Sequence, residues 1–201
     1  IQTYARRFPE TMGSQVAGVV LMNTTYTNPI RTSVASWLLR ALRWPLIEPM
    51  CRLQIWLNPL VWAQAWLSYL NGSSHLVMRL TGFGSAVTRE QLDHVARLHT
   101  QNPPKVQAKG MLGMLRWDAS EVAARLNVPV LVIGGKIDLL TKLEANERIA
   151  KEAPQGRLVA VPDAGHGGLI DQAYRYAEAI EPFLQATLKA APQPQPSPTA
   201  V

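Results

Sequence analysis

Cysteine is nearly absent from this chain: Cys51 stands alone among 201 residues. A single thiol excludes an internal disulfide framework and fits a reducing compartment. By the burial habits of free cysteine it reads as a small hydrophobe rather than a nucleophile. Charge is sparse as well, at 17% of residues, and the 20 Lys and Arg are scattered, their densest group being "RTSVASWLLRALRW". With no basic stripe interleaved with aromatics, a nucleic-acid partner is not expected. Long apolar runs are missing too. Leu53 to Leu70 carries no charge, but Pro59 breaks it and Glu48 and Arg52 precede it, so it falls short of a membrane span of about 20 residues. His94 and His99 would point about 140° apart on a helix and His75 has no partner in sequence, so neither metal nor other cofactor is expected. There is no initiating methionine and no charged-then-apolar leader, and "IQTYARRFPE" already reads as the second half of a helix ending near Pro9. The chain is therefore expected to be truncated at its front.

What is present is a 47% hydrophobic chain, enough for one domain with an elaboration. "QVAGVVLMNTT" from Gln15 is a continuous apolar run, as in a strand buried on both faces of a parallel sheet. From Thr32 to about Leu80 the pattern changes: five of the six tryptophans (Trp37, Trp44, Trp56, Trp62, Trp66) and prolines 45, 49 and 59 separate short apolar helices. In "NPLVWAQAWLSYLNG" Asn58 reads as the helix cap, Pro59 as its first residue and Gly72 as its stop. "TREQLDHVARLHTQNPP" has Thr88 and Gln91 in capping-box spacing, with Leu92, Val95 and Leu98 on one face. "PKVQAKGMLGMLRW" and "DASEVAARLNVP" predict two further helices, the second with Asp118 and Glu121 in the same capping relation. A strand, helix, strand, helix alternation follows in "VPVLVIGG", "LEANERIAKEA", "GRLVAVP" and "LIDQAYRYAEAI", with Pro182 kinking or restarting the last; it predicts a parallel sheet. "APQPQPSPTAV" reads as a disordered tail with polyproline character.

Asp138 and His166 each follow a predicted strand by a few residues. In an open α/β sheet such loops aim their polar groups at one crevice at the carboxyl ends of the strands. An aspartate bonded to one imidazole nitrogen fixes the tautomer and stabilises the imidazolium, while the other nitrogen takes a proton from a nucleophile. Asp163, three residues before His166, reads instead as an Asx-type turn residue, and Asp171 as support for the first turn of the next helix.

"PVLVIGGKIDLLT", followed 28 residues after its aspartate by "GHGGLID", resembles the carboxyl-terminal half of an α/β-hydrolase. The resemblance covers Ile1 to about Leu188. It implies that Asp138 is the triad acid and His166 the general base. Residues 1–31 and 118–188 are then parts of the hydrolase core, 32–117 a helical cap or lid, and 189–201 the tail. It also implies a nucleophile on a G-x-S-x-G elbow, which this chain lacks: Ser74 has a glycine two residues before it but not two after, and Ser85 has neither. The elbow is expected upstream of Ile1, so the chain alone is expected to be inactive.

The function implied is a serine hydrolase cleaving a small-molecule or lipophilic ester. Two alternatives stay open: an aspartate-nucleophile dehalogenase or epoxide-hydrolase chemistry, and a noncatalytic interaction or membrane-surface protein on the same fold. The tryptophan-rich lid reads equally as core packing and as a lipophilic or peripheral membrane surface. The expected location is cytoplasmic, with or without membrane association.

Overall fold

The computed structural model describes residues 1–190. Most of the expected proline-rich tail, from 191 on, lies outside the described residues.

Three strands form the sheet among the described residues: β1 (Val19–Met22), β2 (Val130–Gly135) and β3 (Gly156–Val161). They lie in the order β1-β2-β3 and both pairs are parallel, with Val19 opposite Val130 and Val130 opposite Gly156. β2 is central and buried at every residue. Successive side chains of a strand point to opposite faces, so β2 serves two cores. Val130 and Val132 pack with Val19, Leu21, Val122 and Ile149, while Leu131 and Ile133 pack with Val161 and Tyr176. Replacing Leu131 or Ile133 by Ala would cost about 2–5 kcal/mol at such sites.

β1 is shorter than its apolar run. Residues 11–16 close on themselves, with the Gly13 and Val16 amides bonding to the Val16 and Thr11 carbonyls, and pairing starts only when the Val19 amide reaches the Pro129 carbonyl. The strand ends at Asn23, whose φ of 42° leaves the extended region.

Helix α1 (Gln2–Arg7) precedes β1. Between β1 and β2 the chain is helical: α2 (Ser36–Leu42), a π-helical turn (Arg43–Ile47), α3 (Glu48–Trp56), α4 (Asn58–Leu70), α5 (Ser73–Gly82), α6 (Arg89–Gln101) and α7 (Pro104–Met114). The Thr88–Gln91 capping box opens α6. Its buried face is Leu92, Ala96 and Thr100, with Val95 half-buried; Leu98 points outward. Asn58 does not cap α4; its Oδ1 accepts from the Lys105 amide, which in the first turn of α7 has no intrahelical partner. The Glu48 carboxylate, almost fully buried, is held by Arg43 at 3.0 Å, Arg52 at 3.5 Å and Arg116 at 4.0 Å.

No α-helix forms over "DASEVAARLNVP"; only Ala123–Arg125 makes a 3-10 turn. Asp118 caps Ser120 through its amide and hydroxyl and accepts from the Thr27 hydroxyl, while the Ala119 amide bonds to the Tyr26 carbonyl. Tertiary pairing with the chain after β1 thus overrides helix propensity. Beyond β2, α8 (Leu143–Glu152) covers one face of the sheet and α10 (Ala173–Ala190) the other. The short α9 (Gly168–Asp171) precedes α10. The break falls at Gln172, and α10 runs through Pro182.

Hydrogen bonds from Ser120 and Thr27 hold the Asp118 carboxyl at about 2, below its ordinary value of 3.8. A depressed carboxyl stabilises the fold above its unfolded pKa, and that contribution fades as pH falls through the folded one. Asp118→Asn is therefore expected to lower stability in urea unfolding above about pH 4, with the deficit closing towards about pH 2. A deficit independent of pH would contradict this origin.

Candidate functional site

The carboxyl ends of all three strands converge on one place. After β2, the Lys136 and Ile137 amides bond to the Val161 and Ala164 carbonyls at 3.0 and 3.1 Å, drawing the two following loops together. This approach needs glycine: a Cβ on Gly135 would collide with the Ala164 carbonyl. After β1, Asn23 Nδ2 donates to the carbonyls of Gly165 and His166, each at 2.8 Å, and its Oδ1 accepts from the Tyr176 hydroxyl at 2.6 Å. Burial pushes the Tyr176 phenol up to about 12, so it stays protonated and donating.

Asp138 and His166 are brought together: His166 Nδ1 lies 3.0 Å from Asp138 Oδ2. The carboxylate is buried and fully bonded. Its Oδ1 accepts from the Leu140 and Thr141 amides, both at 2.8 Å, and its Oδ2 accepts from the Thr141 hydroxyl at 2.7 Å. Burial raises the carboxyl, but His166 and Thr141 together outweigh it and the pKa is lowered. An ionised carboxylate only accepts, so Nδ1 carries the proton and a neutral ring keeps its lone pair on Nε2. Among the described residues no side chain hydrogen-bonds Nε2, and the His166 side chain is 40% exposed.

His166 lines a mostly apolar cavity of about 810 Å³. Ile30, Val34, Leu39, Met111, Met114 and Leu139 contribute to its wall. Ser33 also lines it, and its buried Oγ has no hydrogen-bond partner. Ser33, Asn23 and Thr141 escape the sequence reading. Asn23 alone left a signal, an amide directly after an apolar strand, like Asp138 after β2.

The other candidates lie elsewhere. Asp163, at φ 52°, accepts from the Ser85 amide and hydroxyl rather than closing a turn on itself. Asp171 accepts from the Gly84 amide, and burial holds its carboxyl above the usual range. His75 has a partner after all: its Nε2 lies 3.1 Å from Asp93 Oδ1, which also accepts from the Tyr69 hydroxyl. Ser74 Oγ lies 3.5 Å from the other ring nitrogen. With both ring nitrogens engaged and its aspartate exposed, this group reads as a brace between α5 and α6. Cys51 is buried and free, and burial raises its thiol pKa. Among the described residues no cluster of three His, Cys, Asp or Glu could hold a metal ion, and no helix is long and apolar enough to cross a membrane.

Residues 114–193 match a protein-family model described as TAP-like protein. No curated protein matches the chain. Among solved structures it resembles a thermophilic esterase from Thermogutta terrifontis, with 21% identity, a TM-score of 0.65, and coverage of 92% of this chain and 60% of the esterase. It also resembles the enol-lactonase from Burkholderia xenovorans LB400, with 18% identity, a TM-score of 0.57 and coverage of 92% and 60%. A third likeness is to a membrane phospholipase A described as a bacterial virulence factor, with 16% identity, a TM-score of 0.62 and coverage of 94% and 54%. The chain thus has the α/β-hydrolase fold and spans about 60% of the first of these chains.

Gly135→Ala is expected to push the His166 loop off β2, at about 1–3 kcal/mol for overpacking and a fall in Tm of roughly 2–4 °C per kcal/mol. The Nδ1 proton resonance of His166 should shift with it. An unchanged Tm and spectrum would show that the loop is not held by this contact.

Proposed function

We propose that this chain is the acid-and-base part of a hydrolase that cleaves lipophilic esters. The observation that carries the reading is the buried Asp138 carboxylate bonded to His166 Nδ1, with Nε2 left unbonded beside an apolar cavity. In this reading Asp138 is the triad acid and His166 the general base, and residues 32–117 form the cap over the site. The names of the similar structures, an esterase, an enol-lactonase and a phospholipase, favour acyl-oxygen cleavage.

The nucleophile is assigned to a segment outside these 201 residues, since no G-x-S-x-G elbow occurs among them. His166 Nε2 takes the proton of an attacking hydroxyl as its oxygen bonds to the ester carbonyl, and the imidazolium is stabilised by Asp138. The same proton then passes to the departing alcohol, leaving an acyl-enzyme. Water, activated in turn by Nε2, releases the acid. Met111, Met114 and Leu39 give the cavity an apolar wall suited to a hydrocarbon portion of the substrate.

The test is to express the chain together with any coding sequence that precedes Ile1 and assay p-nitrophenyl esters of increasing acyl length. Turnover that His166→Ala and Asp138→Asn each reduce by about 10⁴-fold is expected, with none from the 201 residues alone. Turnover indifferent to His166 would refute the base; His166-dependent turnover by the 201 residues alone would refute the external nucleophile.

A further inference from the structure

Helix α4 carries an apolar stripe on the wrong side. Its half-buried residues, Val61, Trp62, Ala65 and Tyr69, face α6 and α7, and Trp62 Nε1 donates to the Thr100 carbonyl. The opposite face should be polar in a surface helix, yet Leu60, Leu67 and Leu70 stand there at 68%, 62% and 73% exposure. The helices packed against α4 also expose large apolar side chains, Trp56 at the end of α3 and Leu76 and Leu80 on α5. α4 contributes no residue to the His166 cavity, so this face is separate from the proposed site.

Charge decides what the face fits. The segment 32–117 holds nine Lys and Arg against only Glu48, Glu90 and Asp93, a net of +6, and the rest of the chain holds eleven of each sign. The whole net charge therefore belongs to the segment that bears the stripe. Of the three acids, Glu48 is buried among arginines and Asp93 is turned to His75 and Tyr69. Arg79 is exposed on α5 between Leu76 and Leu80, and Arg40 is exposed on α2 of the same basic segment. A second copy would bring the same positive field against itself. An anionic bilayer matches both features, since apolar side chains and tryptophan enter the headgroup boundary while basic residues stay at the phosphates.

The geometry points to docking of this face, α4 with the adjoining parts of α3 and α5, onto an anionic phospholipid surface. The binding does not depend on ester hydrolysis, so either reading can fail without the other.

The 201-residue chain is sedimented with sucrose-loaded vesicles of phosphatidylcholine alone, or with phosphatidylglycerol as one lipid in three. At least about tenfold stronger partition to the anionic vesicles is expected, with a blue shift of tryptophan emission and weakening by salt. The triple variant Leu60→Ser, Leu67→Ser, Leu70→Ser should lose this by about tenfold or more with an unchanged circular dichroism spectrum. Arg40→Ser with Arg79→Ser, both at exposed positions, should weaken partition and flatten its salt dependence. A chain left in the supernatant by anionic vesicles would overturn the proposal. So would partition unaffected by either set of substitutions, or an oligomer that the leucine variants dissolve without any lipid binding.

Discussion

The end of β2 has no room for side chains, and the site depends on that. A Cβ at Gly134 would lie 2.9 Å from Leu143 Cδ1 and 3.1 Å from Asn146 Cβ, and one at Gly135 would strike the Ala164 carbonyl. Two bare positions let α8 close on one face of the strand while the loop after β3 lies against its end. Only then do Asp138 and His166, which leave from neighbouring strands, meet at hydrogen-bond distance. The glycines act through absence: close backbone approach, rather than any contact they make, sets the geometry.

Two buried carboxylates in this chain are stabilised in different ways. Asp138 is surrounded by short-range donors, two amides, a hydroxyl and an imidazole, all supplied by its own turn except the last. Glu48 is instead met by three guanidinium groups from separate parts of the helical segment. The first arrangement fixes direction, because amide and hydroxyl bonds are angular. The second ties elements together, because ion pairs tolerate a range of geometry.

Much of the sheet was legible because a strand buried on both faces must be apolar throughout, as "VPVLVIGG" is. The Thr88–Gln91 box was legible because its partners are three residues apart. Legibility fails where partners are distant in sequence. Asn58 looks like the cap of its own helix, yet its acceptor serves Lys105. Asp118 looks like the start of a helix, yet Thr27 and Tyr26 hold that segment as a turn. Of the site, the Asp138–His166 juxtaposition followed from both residues lying just after strands, whereas the position of Asn23 after a strand does not specify its partners on the His166 loop, more than 140 residues away.

The strand register also bears on the order of assembly. Val130 and its β3 partner Gly156 are 26 positions apart, whereas Val130 and its β1 partner Val19 are 111 apart. Closing the longer loop costs about 1.3 kcal/mol more in chain entropy, and contacts so remote form slowly. The β-α-β unit of β2, α8 and β3 is thus the favoured nucleus; it contains Asp138, and His166 follows directly on the loop after β3. The imidazole acquires its carboxylate early, and the carbonyl anchor from Asn23 only when the long helical connection has closed.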